Sequence, residues 1–196
     1  MKRRHLAGGL AGAILALGAS KLGAAQSLAT HDSSATMKQE LLKDWVEMKT
    51  TMMMLADAMP EDKYSFKTTP PQRDFGQQVL HVAGGNLINM AFLRGKATPP
   101  RINSQATSKA EIMKALADSF DYGTALIKEQ TDQSIFETVQ TNELRGPSSR
   151  ARVIYLLLGH CWDIYGQMVV HLRLNGGVPP ASQPQVLREP PENPKQ

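Results

Sequence analysis

"GHCWDIYGQMVVHLRLNGGVPPAS", residues 159–182, is the stretch on which the reading of this chain turns. Taken as a helix up to Asn175, it extends the apolar series Val153, Leu157, Ile164 and Met168. It also sets His160, Gln167 and His171 into the same inward face. Polar groups on a buried stripe need partners. The segment is therefore either part of a ligand site or a core whose histidines are satisfied by hydrogen bonds. Ser148 or Ser149 can cap its start, and Asn175-Gly176-Gly177 ends it.

Upstream, the same helical period recurs three times. Thr36-Met37-Lys38-Gln39 has the form of a capping box. The residues Leu41, Trp45, Met48, Met52, Leu55 and Met59 then make a seam that stops at Pro60. Of Met52, Met53 and Met54 only the first lies on that seam, so the run reads as flexible core filler, not as a soft metal site. A second helix starts near residues 73–75. Phe75, Val79, Val82 and Leu93 lie on one edge, and His81, Gly85, Ile88 and Phe92 on the next. Ala83, Gly84 and Gly85 cost helix propensity but leave room for a neighbouring helix or a ligand. Ser108-Lys109-Ala110-Glu111 is a further capping box ahead of Ile112, Leu116, Phe120 and Ile127. Residues 131–149 are mixed, with a short strand or irregular chain at residues 135–139. These elements predict an all-α fold, a four-helix bundle with one longer crossover between helices 3 and 4.

Residues 1–25 read as a cleavable signal peptide. Lys2, Arg3, Arg4 and His5 precede the apolar residues 6–17 and the small residues Gly23, Ala24 and Ala25. Twelve apolar residues fall short of the roughly 20 that span a bilayer. The expectation is an exported, periplasmic or extracellular protein, carried by the Sec route or, on the Arg3-Arg4 pair, the twin-arginine route, with no stable membrane insertion after cleavage. A flexible tether (26–35), the bundle (36–182) and a proline-rich disordered tail (183–196) complete the organisation.

The formal charge of +4 belongs to the leader, since removing its four cations leaves 18 basic against 18 acidic residues. The domain therefore has no charge-based claim on nucleic acid. One cysteine per chain permits no internal disulfide. Cys161 is read as a packed small hydrophobe in preference to an intermolecular bridge or a reactive thiol. Trp45, Trp162 and Tyr165 are expected in the core or at a homodimer interface. No phosphate loop, Cys-pair zinc motif or serine elbow is present, which removes most common enzyme classes.

Three stretches, "FGQQVLHVAGGN" (75–86), "KAEIMKALADSFDYGTALI" (109–127) and "LLLGHCWDIYGQMVVHLRLNGGVPPAS" (156–182), resemble the DinB/YfiT-like superfamily of bacterial four-helix bundles. The resemblance implies a divalent metal, often nickel, zinc or iron, held by three histidines: one on the second helix and two spaced four apart on the fourth. Known members include metal-dependent hydrolases and enzymes that transfer low-molecular-weight thiols. Carried onto this chain, the resemblance makes His81 and His160 metal ligands and places the third at position 164, where Ile164 stands.

Helix geometry limits the substitutes for that third ligand. Position 164 is offset from His160 by about 40° and about 6 Å, close enough for two imidazoles to share an ion. His171 is within about 20° of His160 in projection but about 16 Å along the axis, so the two cannot. Gln167, about 10 Å beyond His160, is expected to be structural, tying nearby backbone through its amide. Asp163 is a possible substitute ligand, although it points about 60° to the other side of His160. His171 is expected at the surface or helix end. Two readings follow: an exported metal-dependent hydrolase or transferase with a metal site weakened by Ile164, or a non-catalytic bundle that binds a small apolar molecule or serves a structural role. Thiol transfer is the lesser branch of the first, since reduced thiol cofactors are mainly cytosolic.

Overall fold

The computed structural model describes residues 35–183. The leader expected over residues 1–25, almost all of the tether and almost all of the proline-rich tail lie outside the described residues. Four helices carry the fold: α1 (Met37–Ala58), α2 (Phe75–Met90), α3 (Lys109–Lys128) and α4 (Arg150–Leu174). α1 packs on α3 and α4, and α2 packs on the same two, so α1/α2 and α3/α4 are the diagonal pairs of a bundle. The only ladder among the described residues is two residues long, pairing Thr138 with Ser149 and Val139 with Ser148 in the longest connection, that between α3 and α4.

Side-chain caps define where the helices begin. Thr36 accepts from the Gln39 backbone N–H at 3.4 Å, while the Gln39 side chain accepts from Thr36 N–H at 2.8 Å. Asp74 and Gln77 form the same reciprocal box at α2, at 2.7 and 3.0 Å, which the sequence reading did not pick out. At α3 only half of the expected box forms: Ser108 caps Glu111 N–H, but the Glu111 carboxylate accepts from the Ser108 hydroxyl instead of reaching the backbone. At the other end of α4, Gly176 takes φ 77° and Gly177 N–H bonds the Leu172 carbonyl at 3.0 Å. The left-handed residue there suits glycine and closes the helix.

The core follows the expected seams. Leu41, Trp45, Met48, Met52, Leu55 and Met59 are all buried, while Met54 is exposed. Trp45 lies against Phe120 at 4.8 Å between ring centroids, and its indole N–H donates to the Phe120 carbonyl at 2.9 Å. Tyr64 donates to Ala56 O at 2.8 Å, tying the α1–α2 connection to the end of α1. Trp162 is 54% exposed, so of the three aromatics expected in the core or at a homodimer interface only Trp45 is fully internal, Tyr165 being half-buried. α4 is long and apolar enough to cross a membrane, with mean hydropathy 1.3. A bundle's core helix has the same character, and Val153, Leu157, Ile164 and Met168 are buried here.

Candidate functional site

A cleft of about 810 Å³ opens beside α2, with His81, His160, Arg73, Arg145, Tyr64 and Ile88 in its walls. The Asp74–Gln77 box sets the phase of α2, and the helical period then brings His81, Gly84, Gly85 and Ile88 to the cleft side. α4 packs against α2 and contributes His160 from the other side. The two imidazoles meet with ring centroids 5.0 Å apart at an interplanar angle of 83°. A Cβ on Gly85 would stand 3.3 Å from His160 Nε2, so the missing side chain keeps the place that the imidazole occupies.

Burial, then the positive charges of Arg73 and of His160, lowers the pKa of His81 below its ordinary value, against the opposing pull of Asp163. Burial is also the main cause for His160, with Asp163 raising its pKa and Arg145 and Arg73 lowering it. Both rings are thus biased to the neutral form, the one that ligates a metal. Two neutral imidazoles on neighbouring helices are donors of the type a divalent ion takes. Among the described residues there is no cluster of three or more His, Cys, Asp or Glu side chains able to hold an ion. Ile164 is 2% exposed, belongs to the core and does not line the cleft. Asp163 is exposed, and its charge acts on both imidazoles.

The remaining polar residues of α4 take structural places. His171 stands in the last turn of α4 and is buried at 2% exposure, so of the two places expected for it the helix end holds and the surface does not. Its ring nitrogens lie 2.9 Å from the Gln167 carbonyl and 3.2 Å from the Arg73 carbonyl, so it joins the last turn of α4 to the chain entering α2. The reason is packing: Phe66 meets the imidazole edge-to-face and Phe75 meets it at a tilt, at 6.1 and 6.2 Å between centroids, and the ring is buried between them. Gln167 acts through side chains and not through backbone as expected. It accepts from Gln78 at 2.8 Å and donates to Asp163 at 3.3 Å, which fixes that carboxylate one turn from His160. Cys161 is buried, with its thiol pushed up to about 12 by burial and its sulfur 3.7 Å from Asn86 Oδ1. A thiol held protonated is neither a nucleophile nor a ligand.

Arg73 and Arg145 were not singled out by the sequence reading. Both lie in connections without periodicity, and only the fold brings them to one cleft.

Fold and site together define a class: a four-helix bundle with a cleft beside its second helix, into which the second and fourth helices each bring a histidine. The family model of the DinB superfamily matches residues 44–168, and the chain belongs to that superfamily. Among solved structures it is similar to a DinB-like protein from Bacillus cereus ATCC 10987, with a TM-score of 0.64 and 17% identity over 71% of this chain and 93% of that one. At that identity the likeness concerns the fold alone. No curated protein matches the chain.

Proposed function

We propose that the protein is an exported member of the superfamily whose His81–His160 cleft holds a divalent ion (nickel, zinc or iron) and serves a metal-dependent hydrolase or transferase acting on a small molecule. The observation that carries the reading is the imidazole pair, 5.0 Å apart and edge-to-face across two helices. A bound divalent ion supplies Lewis-acid polarisation of a carbonyl or phosphoryl oxygen. His81 and His160 hold and orient; Gly84 and Gly85 leave space beside them; Leu80, Ile88 and Ile112 give the cleft an apolar wall. Two imidazoles grip an ion less firmly than three, so binding is weak. Export rests on the order of basic, apolar and small residues in the leader.

Calorimetric titration of tag-free protein starting at Gln26 with nickel and with zinc tests the site. Weak, one-to-one binding is expected, abolished by His81→Ala and by His160→Ala in variants that keep helical circular dichroism. Binding that survives both substitutions, or none at millimolar metal, overturns the reading. A second reading, a non-catalytic bundle binding an apolar molecule, is favoured by the aliphatic wall and is what the no-metal outcome would leave. Mass analysis of the native protein tests export, an intact Met1 being the contrary result.

A further inference from the structure

A second concave surface lies where α1 packs on α4. It is a groove of about 430 Å³ with Asp44 and Glu47 on the α1 wall, Tyr155 and Trp162 on the α4 wall and Gly159 between those two rings. Met48 and Leu158, both buried, form its floor. It shares no lining residue with the histidine cleft. Helical rotation explains the separation, since Tyr155, Gly159 and Trp162 stand about 100–160° around α4 from His160. Tyr155 is 68% exposed and Trp162 54% exposed, so both rings are open to the groove and to solvent. Tyr165 meets the Trp162 indole edge-to-face at 5.4 Å and supports it from the C-terminal side. Gly159 stands about 6 Å along the axis from Tyr155 and about 4.5 Å from Trp162, as positions four and three residues apart require. Glycine there costs helix propensity, and no neighbouring atom uses the space it leaves: nothing lies within 4 Å of the place of its Cβ.

The facing wall is acidic. Asp44 and Glu47 are three apart on α1 and so share one helical face. Both are exposed, and neither forms an ion pair among the described residues. The groove lining holds no Lys, Arg or His. Two carboxylates opposite two aromatic rings complement a cation whose own surface is apolar. An aromatic face attracts a cation within about 6 Å of the ring centroid. A quaternary ammonium has no N–H to withdraw from water, so its methyl surface can lie against the rings while the carboxylates balance its charge. An inorganic cation would leave the rings unused, and an anion would be repelled by the acidic wall.

We propose that the α1–α4 groove binds a small quaternary ammonium, seated over Gly159 between Tyr155 and Trp162 with its charge met by Asp44 and Glu47. A group over Gly159 is within about 6 Å, along the helix axis, of both aromatic residues, the range over which ring and cation attract. The site is separate from the metal cleft of the function proposed above and does not rest on it. Exposed rings make each contact modest, so binding is weak. Selectivity comes from charge: an uncharged molecule of the same shape keeps the apolar contact and loses the attraction to rings and carboxylates.

The test titrates the full chain with choline and with 3,3-dimethylbutan-1-ol, in which carbon replaces the cationic nitrogen, and follows amide and indole N–H chemical shifts. The chain has two indoles. Trp45 is buried and donates to Phe120 O, so choline is expected to move the Trp162 signal and leave that of Trp45 in place. The neutral isostere is expected to bind at least about fivefold more weakly, the scale of one cation–ring contact. Trp162→Leu and Tyr155→Leu are each expected to weaken choline binding by about fivefold, read at the Gly159 amide, with Trp162→Phe falling between wild type and Trp162→Leu. Should an aromatic variant disturb the fold, Asp44→Asn/Glu47→Gln removes only the charge of two exposed side chains and is expected to weaken choline and leave the isostere unchanged. Gly159→Leu fills the seat and is expected to abolish binding. His81→Ala/His160→Ala abolishes nickel binding while choline binding persists, so the two proposals fail separately. Equal affinity for the isostere, or choline binding undiminished in the aromatic and carboxylate variants, overturns the site. Self-association that covers Trp162, seen as a concentration-dependent sedimentation coefficient unaffected by choline, would put a second copy in the groove and overturn it as well.

Discussion

At position 164 a single side chain separates this chain from a three-imidazole site. Ile164 is buried in the core, whereas His160, one turn earlier, is half-buried on the cleft wall. The offset of about 40° between residues four apart is enough to carry a side chain from one environment to the other. Ile164→His therefore places an imidazole partly into apolar surroundings, and metal-free stability is expected to fall by about 1–3 kcal/mol. A histidine reaches further than isoleucine, and directed toward His81 and His160 it supplies the missing nitrogen. Nickel is then expected to bind the variant at least about tenfold more tightly than the wild type and to raise its melting temperature more, because the ion binds the folded state alone. Thermal melts and calorimetric titration with and without nickel measure both effects. An unchanged affinity would mean that the side chain at 164 stays in the core, and Asp163, held by Gln167 at 3.3 Å, would then be the position from which a third donor must come.

At the scale of the helices, glycines distinguish contacts that are filled from contacts that are open. α1 and α3 meet where Trp45 lies on Gly123: a Cβ there would stand 2.5 Å from Trp45 Cζ2 and 2.9 Å from its Nε1. The indole is fully buried and bonded to Phe120 O, so it has no room to retreat. Gly123→Ala is expected to cost about 1–3 kcal/mol through overpacking, outweighing the gain of about 1 kcal/mol in helix propensity. Gly159→Ala, inside α4 with nothing within 4 Å of its Cβ position, is expected to show that gain undiluted. Urea denaturation of the two variants should move the midpoint in opposite directions, and a stabilised Gly123→Ala would contradict the close approach of α1 to α3. Such seams were legible in the sequence because each helix buries a stripe that repeats at the helical period, as Leu41 to Met59 do. The helix-end place of His171 was legible but its burial was not, because that depends on Phe66, Phe75 and the Arg73 carbonyl, partners about a hundred positions away that no local pattern records. Arg145 escaped notice for the same reason. The pairing of His81 with His160 was legible only through the family resemblance, since spacing within each helix says nothing about which faces meet.

Over the whole molecule, charge sets what the cleft arginines can and cannot do. Residues 26–196 hold 18 basic and 18 acidic residues, so this part of the chain has no net field to draw a polyanion. Arg73 and Arg145 are a local exception, two cations in the walls of a concave space. A duplex is a stiff rod with about one charge per 1.7 Å, and its affinity for a protein depends on how many phosphates are neutralised together. Two contacts would give a salt slope of only about −2 in the logarithmic plot, against the six to ten contacts typical of proteins that bind DNA tightly. Residues 26–196 are accordingly expected to show no measurable affinity for duplex DNA at physiological salt. Fluorescence anisotropy with a labelled duplex across a salt series makes the measurement. A slope steeper than about −4 would require at least four phosphates neutralised at once, hence a one-sided basic surface extending well beyond Arg73 and Arg145.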